Sequence, residues 1–259
     1  MKTMHSSFSL FCILFSIGAL ASASGLAAKP LDAEALERYK QGLALYAAGQ
    51  KLHDAGKYDE ANATYGQALN LFRDGPKPDM GNCYNRLGNA YLTKEPRKAL
   101  WYYSQALGIR RIDHGREHPA VATSLNNVGM ACMRMEEYDH ALSYFEAAMD
   151  IFRKVIPVKD NRHVATNHNH IGMACAAKKL HDKAVLHHKE ALRIYLKIYG
   201  DKHPNVARSK RELGFAHLNR GDKKTALALL HEAKDILIAT EGADYVETKE
   251  LVQKLKGIR

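Results

Sequence analysis

Apolar residues along this chain fall at helical intervals, and the same apolar motif returns five times. Between Ala122 and Val155, Leu125, Val128, Gly129 and Cys132 recur at intervals of three and four, which puts them on one face of a helix. Met135-Glu136-Glu137 interrupts as a short polar turn. Tyr138, Ala141, Leu142, Phe145, Ala148, Met149 and Phe152 then form a second stripe of the same period. Gly129 and Ala141 carry almost no bulk where two such helices would cross, and Tyr138 and Phe145 fill the space beside them.

The glycine of this unit has counterparts at Gly49, Gly88, Gly172 and Gly214, so successive glycines are 39, 41, 43 and 42 residues apart. Each is followed by an alanine (Ala61, Ala99, Ala141, Ala184, Ala226) and, seven residues later, by another (Ala68, Ala106, Ala148, Ala191, Ala233). A fixed period of this length predicts an all-α solenoid, in which each helix-turn-helix unit buries its apolar face against its neighbours. The pattern places repeats at about 38–74, 81–113, 122–156, 165–199 and 207–240 within a solenoid spanning 32–242. A last amphipathic stretch, Ala243 to Lys256 with Val246, Leu251, Val252 and Leu255, reads as a polar-backed capping helix over 243–259.

The pattern resembles the tetratricopeptide repeat. A Leu/Val/Ile-Gly pair is followed by Tyr or Cys three residues on, then by alanine, an aromatic residue and alanine. The long period is similar to the kinesin-light-chain branch of that family, whose first helix opens with a His-Pro-x-Val-Ala-x-Ser-Leu-Asn-Asn lead-in. Here that lead-in stands as His118-Pro119-Ala120-Val121-Ala122-Thr123-Ser124-Leu125-Asn126-Asn127. It recurs as His203-Pro204-Asn205-Val206-Ala207-Arg208-Ser209 and more loosely as Asn161-Arg162-His163-Val164-Ala165-Thr166. Proline suits the first helical position, where an N–H would have no partner. The resemblance implies a right-handed superhelix of about five repeats plus the capping helix, with the first helix of each repeat lining a concave groove.

By that register the groove residues are Asn85, Arg86 and Asn89 in the second repeat, and Asn126, Asn127 and Met130 in the third. Asn169, His170 and Met173 follow in the fourth, and Arg208, Arg211 and Phe215 in the fifth. Asn85, Asn126, Asn169 and Arg211 occupy one equivalent position. Asparagine is a mediocre helix former, so its repetition is not explained by propensity. Its amide can grip the backbone of an extended peptide, and arginine can hold carboxylates bidentately. The expected partner is therefore a protein or peptide segment of acidic character, held by a non-enzymatic scaffold without cofactor.

The N-terminus reads differently from the repeats. Lys2 and His5 precede the apolar run Phe8 to Leu20, and Ala21-Ser22-Ala23 supplies small residues. This is the layout of a secretory signal peptide over 1–23, followed by a linker over 24–31, and it predicts export to the outside or the periplasm. An uncleaved anchor is the alternative. Cleavage after Ala23 removes Lys2 alone, which lowers the formal charge from +10 to +9. A basic surface suits acidic proteins or an anionic membrane surface. Nucleic acid is not expected, because no run of basic residues or binding fingerprint accompanies the charge.

Two other chemistries stand beside the scaffold as alternatives. Fourteen histidines raise the question of metal, above all His163, His168, His170, His181, His187 and His188. His168 and His170 diverge on a helix and His187 and His188 are adjacent, so no metal site is expected, although a histidine-based carrier stands as an alternative to the scaffold. A basic protein lying on the membrane surface is the other. Cys83, Cys132 and Cys175 read as small hydrophobes of the packing faces, with Cys132 and Cys175 too far apart on stacked helices to pair. Nucleotide-binding, zincin and nucleophile-elbow motifs do not occur in the sequence.

Overall fold

The computed structural model describes residues 32–73, 77–156 and 160–258, and the signal peptide and the linker read from the sequence lie outside these residues. Among the described residues there are eleven α-helices and no strand. They are α1 (Ala33–Asp54), α2 (Tyr58–Leu71), α3 (Lys77–Tyr91), α4 (Pro96–His114), α5 (Pro119–Arg134) and α6 (Tyr138–Val155). The series continues with α7 (Arg162–Ala177), α8 (His181–Tyr199), α9 (Pro204–Arg220), α10 (Lys223–Glu241) and α11 (Val246–Gly257). Two compact units divide the chain: residues up to Tyr91 together with Trp101–Asp113, and Leu92–Leu100 together with the residues from His114 onward.

In the first unit α1 packs on α2 and α2 on α3. Its core joins Tyr39, Ala68, Phe72 and Cys83, with Ala61, Tyr65 and Leu87 alongside. In the second unit α5 pairs with α6, α7 with α8 and α9 with α10, while α6 meets α7, α8 meets α9 and α10 meets α11. One apolar cluster runs from Cys132 and Phe145 through Ile171, Cys175 and Ile194 to Leu213. A second, Ala207, Leu230, Ala233, Leu237 and Leu251, seals the last pair against α11.

The repeat glycines explain how the paired helices close. A Cβ on Gly129 would lie 2.5 Å from the Phe145 ring, on Gly88 2.4 Å from Tyr103, and on Gly49 2.7 Å from Tyr65. At Gly172 the facing ring is His188, and at Gly214 the facing side chain is Leu230. Each glycine is thus the floor beneath a large side chain 15 or 16 residues further on. Both alanines of every repeat are fully buried, which lets the second helix approach from either side.

The helix ends follow local chemistry. The lead-in histidines are caps: His118 Nδ1 accepts from the Ala120 N–H and His203 Nδ1 from the Asn205 N–H, each at 3.1 Å, with proline at the first helical position. Asn161 Oδ1 caps α7 in the same way, accepting from the His163 N–H at 2.8 Å. The turn between paired helices takes a left-handed residue seven positions after the repeat glycine. It is glycine at Gly56 (φ 76°) and Gly221 (φ 93°), but Glu136 (φ 62°) and Lys179 (φ 61°) in the third and fourth pairs. Glu136→Gly and Lys179→Gly should each therefore stabilise the protein by about 0.5–1 kcal/mol in chemical denaturation, since a Cβ is disfavoured there.

Candidate functional site

In the second unit the open sides of α5, α7 and α9 repeat one another. On α5 the packing residues Val121, Ala122, Ser124, Leu125, Asn126, Val128, Gly129, Ala131 and Cys132 are buried. This leaves Thr123, Asn127, Met130 and Met133 half-buried along one line. On α7 the half-buried line is Thr166, His170, Met173 and Ala176, and on α9 it is Arg208, Glu212, Phe215 and Leu218. The members of the three lines are in register, 43 residues from α5 to α7 and 42 from α7 to α9. α7 touches both α5 and α9, so the lines lie side by side.

Of the residues expected to line the groove, Asn127, Met130, His170, Met173, Arg208 and Phe215 stand on these lines. Thr123, Met133, Thr166, Ala176, Glu212 and Leu218 were missed, though the same spacings mark them. Asn85 and Asn126 are corrections, because both are buried. Asn126 Oδ1 accepts from Asn167 Nδ2 at 2.6 Å, and the same Nδ2 donates to the Phe145 carbonyl at 3.0 Å. The cause is helix rotation. Three residues before the glycine is about 60° from it around the axis and faces the neighbouring helix, whereas two residues before is about 160° away and faces out. Asn169, half-buried at the same position, hydrogen-bonds His188 Nδ1 at 3.0 Å.

The expected arginine clamp is already occupied. Arg208 reaches Glu247 Oε2 at 2.8 Å and also pairs with Glu241. Arg211 pairs with Glu212 at 2.7 Å and with Glu247. The carboxylates come from α9 itself, the end of α10 and α11, so the chain neutralises its own cations at this end. Lys254 of α11 lies over the Phe215 ring, 5.2 Å from its centroid. In the first unit, Arg86 is hydrogen-bonded to Tyr46, and the Asn89 amide oxygen accepts from the Tyr103 hydroxyl at 2.7 Å.

The α5 and α7 lines therefore carry no ionised side chain at neutral pH. Burial holds the His170 imidazole down to about 4, and its Nδ1 is sealed from solvent without a partner. A buried lone pair costs less than a buried unpaired N–H, so the ring proton sits on Nε2. The face thus combines thioether and aromatic surface from Met130, Met173 and Phe215 with neutral polar groups from Asn127 and His170.

His118 and His203 cap helices, His188 packs on Gly172, and the three cysteines beyond the N-terminal segment lie in the packing faces. Among the described residues no group of three or more His, Cys, Asp or Glu converges as a metal site. Cys83, Cys132 and Cys175 are free and buried, and burial raises their thiols, Cys83 to about 12 and Cys132 to about 11. Such thiols are poor nucleophiles. Among the described residues no helix is long and apolar enough to cross a membrane.

A sequence profile of the tetratricopeptide repeat matches residues 93–154 and 163–239, more than half the chain. This chain is a tetratricopeptide-repeat protein. Its fold is similar to that of BtubC (BKLC) from P. vanneervenii, with 22% identity, a TM-score of 0.64, and coverage of 81% of this chain and 91% of that one. The nearly identical TPR-like repeats of a Podosopora anserina kinesin-light-chain candidate align at 19% identity and TM-score 0.64, over 78% of this chain and 97% of that one. The apo form of RapI aligns at 16% identity and TM-score 0.67, over 84% of this chain and 82% of that one. At these identities the likeness is one of fold. No curated protein matches the chain.

Proposed function

We propose that this tetratricopeptide-repeat protein is a non-enzymatic interaction scaffold that holds an extended segment of another protein across α5, α7 and α9. The observation that carries the reading is the set of three in-register, half-buried lines, with Met130, Met173 and Phe215 at one level and Asn127 and His170 at the next. Neighbouring packed helices stand about 10 Å apart, and three residues of extended chain cover about the same distance. Every third residue of such a segment meets a new helix, placing an apolar side chain on each of Met130, Met173 and Phe215. The His170 Nε2–H offers a hydrogen bond to the backbone between them.

An acidic partner would need the arginines at the two ends of the groove; Arg208 and Arg211 are neutralised within the chain, and Arg86 is hydrogen-bonded to Tyr46. The segment that suits this face is apolar at every third position and otherwise uncharged. The chain's overall charge of +10 lies elsewhere and acts on the rate of encounter. Export, read from residues 1–23, is part of the proposal, with a partner outside the cytoplasm.

Selection from a displayed library of random 12-residue peptides tests the reading. The protein should enrich peptides with apolar residues three apart, and Met130→Asp with Met173→Asp should weaken the selected peptide by roughly 100-fold, two lost contacts of about 1–2 kcal/mol each. Equal binding by the double variant, with its helical content unchanged, would place recognition elsewhere.

A further inference from the structure

We propose that the fourth helix pair, α7 with α8, is an acid-sensitive joint, closed by histidines that must remain neutral and opened when they take up protons. Where His188, His168 and His187 stand, the second and third pairs carry aromatic or apolar side chains that are uncharged near neutral pH, although the fifth has Lys210 at the His168 position. His188 stands where the other repeats carry Tyr65, Tyr103, Phe145 and Leu230. His168 and His187 stand where the second pair has Tyr84 and Tyr102 and the third has Leu125 and Tyr144.

Each position tolerates the neutral ring and resists the charged one. His188 is 2% exposed, and its Nδ1 faces Asn169 Oδ1 at 3.0 Å, so the amide oxygen accepts and Nδ1 carries the proton. Its ring then lies with one face on Gly172, where a Cβ would be 2.7 Å from both Nε2 and Cε1. A second proton would put a charge against that backbone. His168 and His187 face each other Nδ1 to Nδ1 at 3.0 Å and share a single hydrogen, so charging both rings sets donor against donor. His170 adds a sealed, unpartnered Nδ1 beside Phe145, with ring centroids 5.1 Å apart.

The charged groups around the joint come from three helices. Arg153 of α6 and Arg193 of α8 oppose a charge on His168, and Arg153 with Lys183 of α8 opposes one on His187. Glu190 of α8 favours a charge on His168, and Glu212 of α9 favours one on His188. α5 meets α7 through the uncharged Asn126. Burial outweighs the carboxylates: it lowers His168, His170 and His188 to about 4 and lowers His187 as well.

The sign follows from linkage. Above about pH 6.5 these rings are neutral whether the joint is closed or open, and nothing is lost. Between about 6.5 and 4 the open joint binds protons that the closed joint refuses. Each refused proton raises the open fraction about tenfold per pH unit, so two of them give about 100-fold. Opening disperses His170 and Met173, the middle line of the face. Release of a held segment in acid rests on the proposed function, but the joint does not.

Hydrogen exchange of the full chain, read by mass spectrometry at about pH 7 and pH 5 and corrected for intrinsic rates, tests the joint without any ligand. Amides of α7 and α8 should lose at least about 30-fold more protection than those of α9 and α10. In the variant His188→Phe with His168→Leu and His187→Tyr, which restores the third pair's residues at these places and leaves only His170, that excess should fall by at least about tenfold. Equal loss in both pairs, or an unchanged excess in the variant, overturns the proposal. Should the triple variant fail to fold, NMR titration of the native histidines decides: His168 and His188 staying neutral to below about pH 5 supports the joint, and ordinary titration near pH 6.5 refutes it.

Discussion

Replacing Phe145 by alanine should destabilise the protein by about 3–5 kcal/mol, the largest effect of any single side chain in the second unit. The ring is fully buried, belongs to the core shared by α5 to α9, and rests on Gly129. Gly129→Leu should be costly for the opposite reason. Its Cβ alone would stand 2.5 Å from the ring, so the helices must part or the ring must leave its rotamer, at about 1–3 kcal/mol or more. If the two positions form one joint, Gly129→Leu with Phe145→Ala should cost less than the sum of the single changes, because the new leucine grows into the vacated space. A double-mutant cycle by urea denaturation, coupling the pair by about 1 kcal/mol or more, checks this. Strict additivity would mean that the glycine and the ring do not depend on each other.

Asn167→Ala is the second large effect expected, at about 2–3 kcal/mol. The amide is wholly buried and its nitrogen serves two acceptors, Asn126 Oδ1 and the Phe145 carbonyl. Removing it leaves both acceptors buried with a donor gone, and the desolvation cost of unmet groups exceeds the value of the bonds themselves. The same variant should loosen α7 from α5 and α6, since these bonds cross between pairs. Thermal denaturation of Asn167→Ala measures the cost, and a loss below about 0.5 kcal/mol would show that water or a rotated Asn126 replaces the donor.

The helix pairs were legible because their signals are local or strictly periodic. Gly129 with Phe145 and the two alanines lie within one hairpin, and the His118-Pro119 lead-in states both a cap and a first helical residue. The direction of each polar side chain was not legible in the same way. Asn126 and Asn127 are neighbours in sequence, yet one faces the next helix and the other the open line. What fixes the difference is Asn167, 41 residues away. Arg211 has the chemistry of a carboxylate receptor, but besides its neighbour Glu212 it is met by Glu247, 36 residues further on in a helix that the repeat pattern does not include. His188 was visible as a departure from the aromatic position. That it is held neutral depends on Gly172 and Asn169 enclosing it, which only the packed pair reveals. Glu136 and Lys179 could have been anticipated, because Gly56 and Gly221 mark the same left-handed position in other turns.

The central claim is that the face of α5, α7 and α9 holds an extended segment of a partner. Methyl-labelled methionine offers a direct probe, because Met130, Met133 and Met173 stand on the face, Met149 is buried in α6, and Met135 lies in the turn beyond α5. On adding a peptide selected from the library, the methyl resonances of Met130 and Met173 should shift together and saturate with one affinity, while Met149 stays in place. Shifts confined to Met135, or none at any of these methyls while the peptide is bound, would contradict the account.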